Sequence, residues 1–227
     1  VKWRDVSADI AVIEIVEWDK FKSDNPIEYL EFNTDYLQGD KVIVLGNPSG
    51  LLFSASLGIV SQERQKLTNS PMFYLGSDAH LYPGNSGGPM LDKNGDVLSV
   101  SDLMLPMEGG SYGFGIPAGI VQKVLRDFAK YGEVRWATLG VTMDDNKITD
   151  VAIGSAAEKA GIKVNDLVDY IIVDNVKVDV KTAADISDEL AQRDYQDTVR
   201  LYVNNDHEVD LVPGYKTSKD FPPLPHK

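Results

Sequence analysis

One segment of this 227-residue chain, Gly84-Asn85-Ser86-Gly87-Gly88-Pro89, constrains its fold more than any other. Three glycines in five positions around one serine mark a backbone that must turn tightly, because glycine enters positive-φ conformations without a Cβ penalty. Such a turn can expose a hydroxyl and aim successive backbone N–H groups into one hollow. Acyl transfer needs both features, an attacking oxygen and donors waiting where negative charge develops. On this reading Ser86 attacks, and the N–H groups of Gly84 and Ser86 form an oxyanion hole. The bland alternative is a glycine-rich turn with an incidental serine. A phosphate-cradling loop is a weaker rival, since no Lys-Ser or Lys-Thr pair follows.

Around this segment the chain reads as short strands divided by turns. Residues 10–18, 41–46, 57–61, 72–76, 90–91 and 97–103 are apolar or β-rich, and Asn47-Pro48-Ser49-Gly50 and Asn94-Gly95 are turn signals. Short strands at this spacing suggest a barrel or sandwich. A helix follows from Ala118, with Ile120, Val121, Val124, Leu125 and Phe128 on one face, Pro117 before it and Gly132 after it. A domain boundary is expected within 132–138. Beyond it, 139–143, 147–153 and 167–173 are strand-like, and 155–160 is a short helix ended by Gly161. Thr182 can cap a helix to about residue 193, with Asp185 in its third position. Residues 199–203 and 208–212 form a hairpin around Asn204-Asn205-Asp206. The tail from Gly214 holds Phe221-Pro222-Pro223-Leu224-Pro225 and is expected to be extended or disordered.

Charge and composition exclude several classes. A net charge of −13 argues against nucleic acid and against an anionic membrane surface. The absence of cysteine removes disulfides, thiolate metal sites and cysteine nucleophiles. The histidines are His80, His207 and His226. No apolar run approaches a membrane span and no secretory signal is visible. Because residue 1 is Val and the chain opens directly on a strand-like pattern, upstream sequence is expected to be missing.

A series of motifs in order is similar to the HtrA/DegP-type trypsin-like proteases that carry C-terminal PDZ domains. They are Asp9-Ile10-Ala11-Val12-Ile13, Gly46-Asn47-Pro48-Ser49-Gly50, Gly58-Ile59-Val60-Ser61, Asp78-Ala79 with Pro83 through Pro89, and Gly113-Phe114-Gly115-Ile116-Pro117. The resemblance implies a mainly β protein: an incomplete trypsin-like double β-barrel over residues 1–134, an α+β PDZ domain over 135–213 and a tail over 214–227. It carries the triad aspartate to Asp9 and the nucleophile to Ser86. The plain alternative for Asp9 is a polar residue at a strand start. Leu81 and Tyr82 fall where the family lines its specificity pocket, residues 103–112 resemble a second pocket loop, and core packing is an equal reading for each. An apolar pocket for small or medium aliphatic side chains is implied.

The pattern breaks at the base. The family's catalytic histidine precedes its aspartate segment, and residues 1–8 hold none. His80 sits six residues before Ser86, on the wrong side of the cleft for a triad, and His207 and His226 read as solvated. The chain is therefore expected to be a fragment of a longer protease, inactive alone; a degenerate relative is the alternative. In the second domain, Leu139, Gly140 and Val141 resemble the PDZ loop that binds a peptide carboxylate, and the helix from Thr182 would form the other wall of that groove with Ile186 and Leu190. Asn165 stands where glycine is usual and should tolerate the same left-handed backbone. The implied partners are unfolded polypeptides and peptide C-termini. A periplasmic or envelope location, a role in protein quality control and a trimeric parent also follow from the resemblance alone. No metal or organic cofactor is implied.

Overall fold

The computed structural model describes residues 1–24, 28–67, 72–107 and 110–221. Two compact units divide between Leu125 and Arg126. That is nine residues before the expected end of the first domain, and it falls inside a helix, which a search for turn residues passes over.

The first unit opens with a small hairpin, β1 (Trp3–Asp5) against β2 (Ile10–Val12), in the register Asp5 to Ile10. The strand expected over 10–18 is cut to three residues because β1 offers only three partners. Glu17 then takes a positive φ, and Trp18–Asp24 forms a short helix, α1, with no buried residue. The rest of the unit is a closed six-stranded barrel. Its strands are β3 (Lys41–Gly46), β4 (Ser54–Lys66), β5 (Phe73–Ser77), β6 (Pro89–Leu91), β7 (Val97–Met107) and β8 (Gly110–Pro117). They close in the order β3-β4-β5-β8-β7-β6, with β6 returning to β3. Alternation along β3 and β4 sends Val42, Val44 and Val60 inward, where they pack with Leu75, Leu81, Met90 and Leu98. The same alternation leaves Leu45, Leu57 and Ile59 exposed on the outer face.

Helix α2 (Ala118–Tyr131) starts right after β8. Ile120, Val121 and Val124 are buried as the periodicity predicts, but Leu125 is exposed, and Lys123 and Asp127 are buried instead. Apolar spacing cannot reveal a charged pair of positions that finds partners, and both residues have them.

The second unit contains β9 (Trp136–Thr138), β10 (Val141–Asp144), β11 (Lys147–Val151), α3 (Ala156–Lys159), β12 (Val168–Val173) and β13 (Val176–Asp179). It continues through α4 (Ala183–Ala191), β14 (Val199–Val203), β15 (His207–Leu211) and β16 (Gly214–Lys216). The largest sheet runs β13-β12-β14-β15, and β10 pairs with β11. Its core gathers Leu139, Ile148, Ile162, Val168, Ile171, Ile186, Leu190 and Leu201. Local signals hold here. Ser155 caps α3 by accepting the Glu158 N–H, and Gly161 ends it at φ +82. Asn165 sits at φ +80, and Asn204 and Asn205 both turn left-handed in the β14–β15 hairpin. The carboxylate of Asp185 accepts the N–H groups of Lys181 and Thr182 at the start of α4. The tail departs from expectation: β16 pairs with β9, placing Tyr215 opposite Ala137. Its prolines at 222, 223 and 225 lie outside the described residues.

Candidate active site

The segment from Pro83 to Pro89 is folded by its glycines into two consecutive turns. The Asn85 N–H donates to the Tyr82 carbonyl at 3.0 Å and the Gly88 N–H to the Asn85 carbonyl at 2.9 Å. Two neighbours fix these turns. On one side, the N–H groups of Asn47 and Ser49 donate to the carbonyls of Gly84 and Pro83, each at 3.2 Å. On the other, the Gly87 N–H donates to the Ser101 carbonyl and the Ser101 N–H to the Gly88 carbonyl, both at 2.8 Å. The contact with residues 46–49 is so close that side chains are excluded. A Cβ on Gly84, at φ +107, would lie 2.4 Å from the Asn47 carbonyl oxygen, and one on Gly46 would lie 2.4 Å from Asn85 Oδ1. The two glycine motifs, almost forty residues apart in the chain, are two halves of one interlock.

Ser86 is exposed at the crest of this loop. Its hydroxyl donates to the carbonyl of Asp102 at 3.1 Å. The β7–β8 register slips between Ser101 and Leu103, so Asp102 is the extra residue of a β-bulge. Neither the Gly84 N–H nor the Ser86 N–H has an intramolecular acceptor among the described residues. Two backbone donors beside an exposed hydroxyl are thus available to a bound group.

The other sequence candidates take definite places. Leu81 is 1% exposed and belongs to the barrel core, whereas Tyr82 is 44% exposed. The carbonyl of Leu81 accepts the Ser111 hydroxyl at 3.1 Å. His80 is exposed and meets Tyr82 edge-on, with ring centroids 6.0 Å apart. The hydroxyl of Ser86 goes to Asp102 and not to His80; His207 lies 3.5 Å from Asp206 in the second unit, and His226 is outside the described residues. Asp9 is exposed and left-handed, at φ +49, where the first hairpin turn enters β2. Among the described residues no His, Asp and Glu cluster could hold a metal ion.

In the second unit, Leu139 is buried and its carbonyl accepts the Ala157 N–H at 3.0 Å. Gly140 turns at φ +78 hard against Ser155, donates its N–H to the Thr138 hydroxyl at 3.3 Å, and accepts the Ala152 N–H at 2.8 Å. Val141 begins β10, whose only strand partner among the described residues is β11. Ile186 and Leu190, left between groove and core by the sequence, lie in the core. Sequence reading missed a cluster at the end of α2. The guanidinium of Arg135 lies 4.3 Å from the Tyr131 ring centroid and 4.6 Å from that of Tyr215. Asp194 binds Lys130 at 2.7 Å and the Tyr131 hydroxyl at 2.8 Å. Burial alone would raise the Asp194 carboxyl, but the hydrogen bonds from Lys130, the Gln196 N–H and Tyr131 outweigh it and hold the pKa down at about 2.

Residues 1–100, which include this serine loop and the first hairpin, match the trypsin-like peptidase domain family. The first unit is therefore similar to the trypsin-like peptidases. Among these, the chain is related to the HtrA/DegP-type serine proteases. It is 33% identical over 186 residues to a probable periplasmic serine endoprotease, DegP-like, of Chlamydia pneumoniae, covering 72% of this chain and 37% of the relative. A DegP-like relative of Bartonella henselae is 31% identical and covers 95% of this chain and 46% of its own. The chain thus spans less than half the length of these relatives. Among solved structures, the HtrA-type protease AlgW with a decapeptide superposes with a TM-score of 0.60 at 21% identity, covering 86% of this chain and 65% of that one. That likeness shows a shared fold.

Proposed function

We propose that this chain is the part of an HtrA-type serine endopeptidase that carries the nucleophile, acting on unfolded or damaged polypeptides. The observation that carries the reading is the Ser86 hydroxyl exposed on a glycine turn beside two N–H groups without an intramolecular acceptor. Ser86 would attack the scissile carbonyl, and the N–H groups of Gly84 and Ser86 would bind the oxyanion as it forms. Asp9 would orient a histidine supplied from outside this sequence and stabilise its imidazolium form. Tyr82 is exposed and suits contact with the substrate; Leu81, inside the barrel core, would shape the pocket wall from behind.

The second unit is read as a PDZ domain that binds peptide C-termini. The open edge of β10, the left-handed Gly140 and the packing of α4 on β10 support that reading, because a peptide can add a strand beside β10 under α4. The relatives' names favour a periplasmic setting. A trimeric parent is part of the same proposal. The test is hydrolysis of a reduced, unfolded protein by the full-length protein and by its Ser86→Ala variant. Cleavage by the first and none by the second supports the reading; equal cleavage removes Ser86 from the role.

One observation favours a second reading, a pseudo-protease whose working part is the peptide groove. The Ser86 hydroxyl rests on a backbone carbonyl and not on an imidazole. A full-length protein that binds apolar C-terminal peptides in the micromolar range, at about −8 kcal/mol, and cleaves nothing would establish it.

A further inference from the structure

Asp5 is a charged residue buried to 4% exposure at the end of β1, where the chain enters the turn that leads to Asp9. A buried carboxylate is costly unless its hydrogen bonds are made, and here one oxygen makes three. Oδ1 accepts the N–H of Ser7 at 2.9 Å, the N–H of Ala8 at 2.9 Å and the hydroxyl of Ser7. Ser7 and Ala8, which supply these donors, are themselves buried. Asp5 also pairs with Ile10 across the hairpin, which puts the carboxylate inside the loop that β1 and β2 close. Asp9 is the last residue of that loop. It emerges exposed at φ +49, in the left-handed region that aspartate enters more readily than most residues with a Cβ, as the closing residue of the turn.

We propose that Asp5 is a positioning residue for Asp9. Its carboxylate locks the turn over residues 6–8, and the locked turn fixes the backbone from which the Asp9 carboxylate projects. The inference rests on the reading of Asp9 as the group that orients the base. It assigns Asp5 no contact with substrate or histidine. Because all three donors converge on Oδ1, asparagine, which keeps an oxygen there, should preserve the lock, and alanine should abolish it. A cap that only stabilised the hairpin would change unfolding without separating kcat from KM.

The experiment is a double-mutant cycle in the full-length protein, following kcat and KM for a peptide substrate in wild type, Asp5→Ala, Asp5→Asn, Asp9→Ala and Asp5→Ala/Asp9→Ala. Asp9→Ala should lower kcat by on the order of 10⁴-fold. Asp5→Ala should lower kcat by on the order of 10²-fold, as expected of a small misplacement, with KM unchanged. Asp5→Asn should recover most of that loss, and Asp5→Ala should cost nothing further once Asp9 is gone. Unaltered kcat in Asp5→Ala, or losses that multiply in the double variant, would overturn the proposal while leaving Asp9 in its role. Full activity in Asp9→Ala would instead sink the reading of Asp9, and this inference with it. Should Asp5→Ala fail to fold, Ser7→Ala takes its place in the cycle, since it removes one of the three donors; a kcat equal to wild type there contradicts the proposal.

Discussion

At the scale of single residues, the glycines around the serine differ in what they do. Gly84 and Gly87 both have positive φ, but only Gly84 is pressed against another backbone. Gly87→Ala should therefore cost only the left-handed strain of an L-residue, about 1–2 kcal/mol, and lower the melting temperature by about 2–4 °C per kcal/mol. Gly84→Ala adds a clash at 2.4 Å with the Asn47 carbonyl, so the interlock must open. Thermal unfolding by circular dichroism should show the larger drop for Gly84→Ala. Equal drops would mean that the two loops are not locked together in solution. The tight turn around Ser86 was legible in the sequence because glycine spacing reports backbone geometry directly. The burial of Leu81 was not, because a residue beside a loop reads alike whether it faces the pocket or the core. The Asp102 carbonyl as acceptor for Ser86 was also hidden, since a bulge in β7 has no sequence mark of its own.

At the scale of elements, caps and turns were the readable part. Thr182 and Asp185 were read as a helix start and are one, whereas Ser155, read as the first residue of its helix, is the N-cap: its hydroxyl accepts the Glu158 N–H at 3.1 Å. Ser155→Ala should destabilise the second unit by about 1 kcal/mol, read as a lower urea midpoint with an unchanged m-value. A midpoint equal to wild type would remove the cap from the account. The end of α2 was unreadable, because its ties to residues 192–196 join positions some sixty residues apart. They predict a pH effect with a definite sign. Asp194 titrates near 2 in the fold against an ordinary 3.8, so its contribution is fully present above about pH 4 and disappears as pH falls through 2. Asp194→Asn should thus be less stable than wild type at pH 7, with the gap closing between about pH 4 and pH 2. A gap that stays constant over that range would show that the carboxylate is not held by these partners.

At the scale of the whole molecule, the sequence predicted an incomplete pair of barrels, and the structure contains one closed barrel with a two-stranded hairpin before it. Ordered motifs made the mainly β, trypsin-like fold legible, and the structure gives their physical reason. Gly46 packs on Asn85, Gly58 on Asp78 and Ala79, and Gly115 on Ser99, so each motif leaves room for a distant stretch of backbone or side chain. Among the described residues no helix is long and apolar enough to cross a membrane.

Covalent labelling by a fluorophosphonate, with the modified residue located by mass spectrometry, is the most direct probe of the nucleophile. In the full-length protein the label should appear on Ser86, should vanish in Ser86→Ala, and should be slowed strongly in Asp9→Ala. A wild-type protein that stays unlabelled, or a label that remains after Ser86→Ala, would contradict the assignment of the glycine-held hydroxyl as the attacking group.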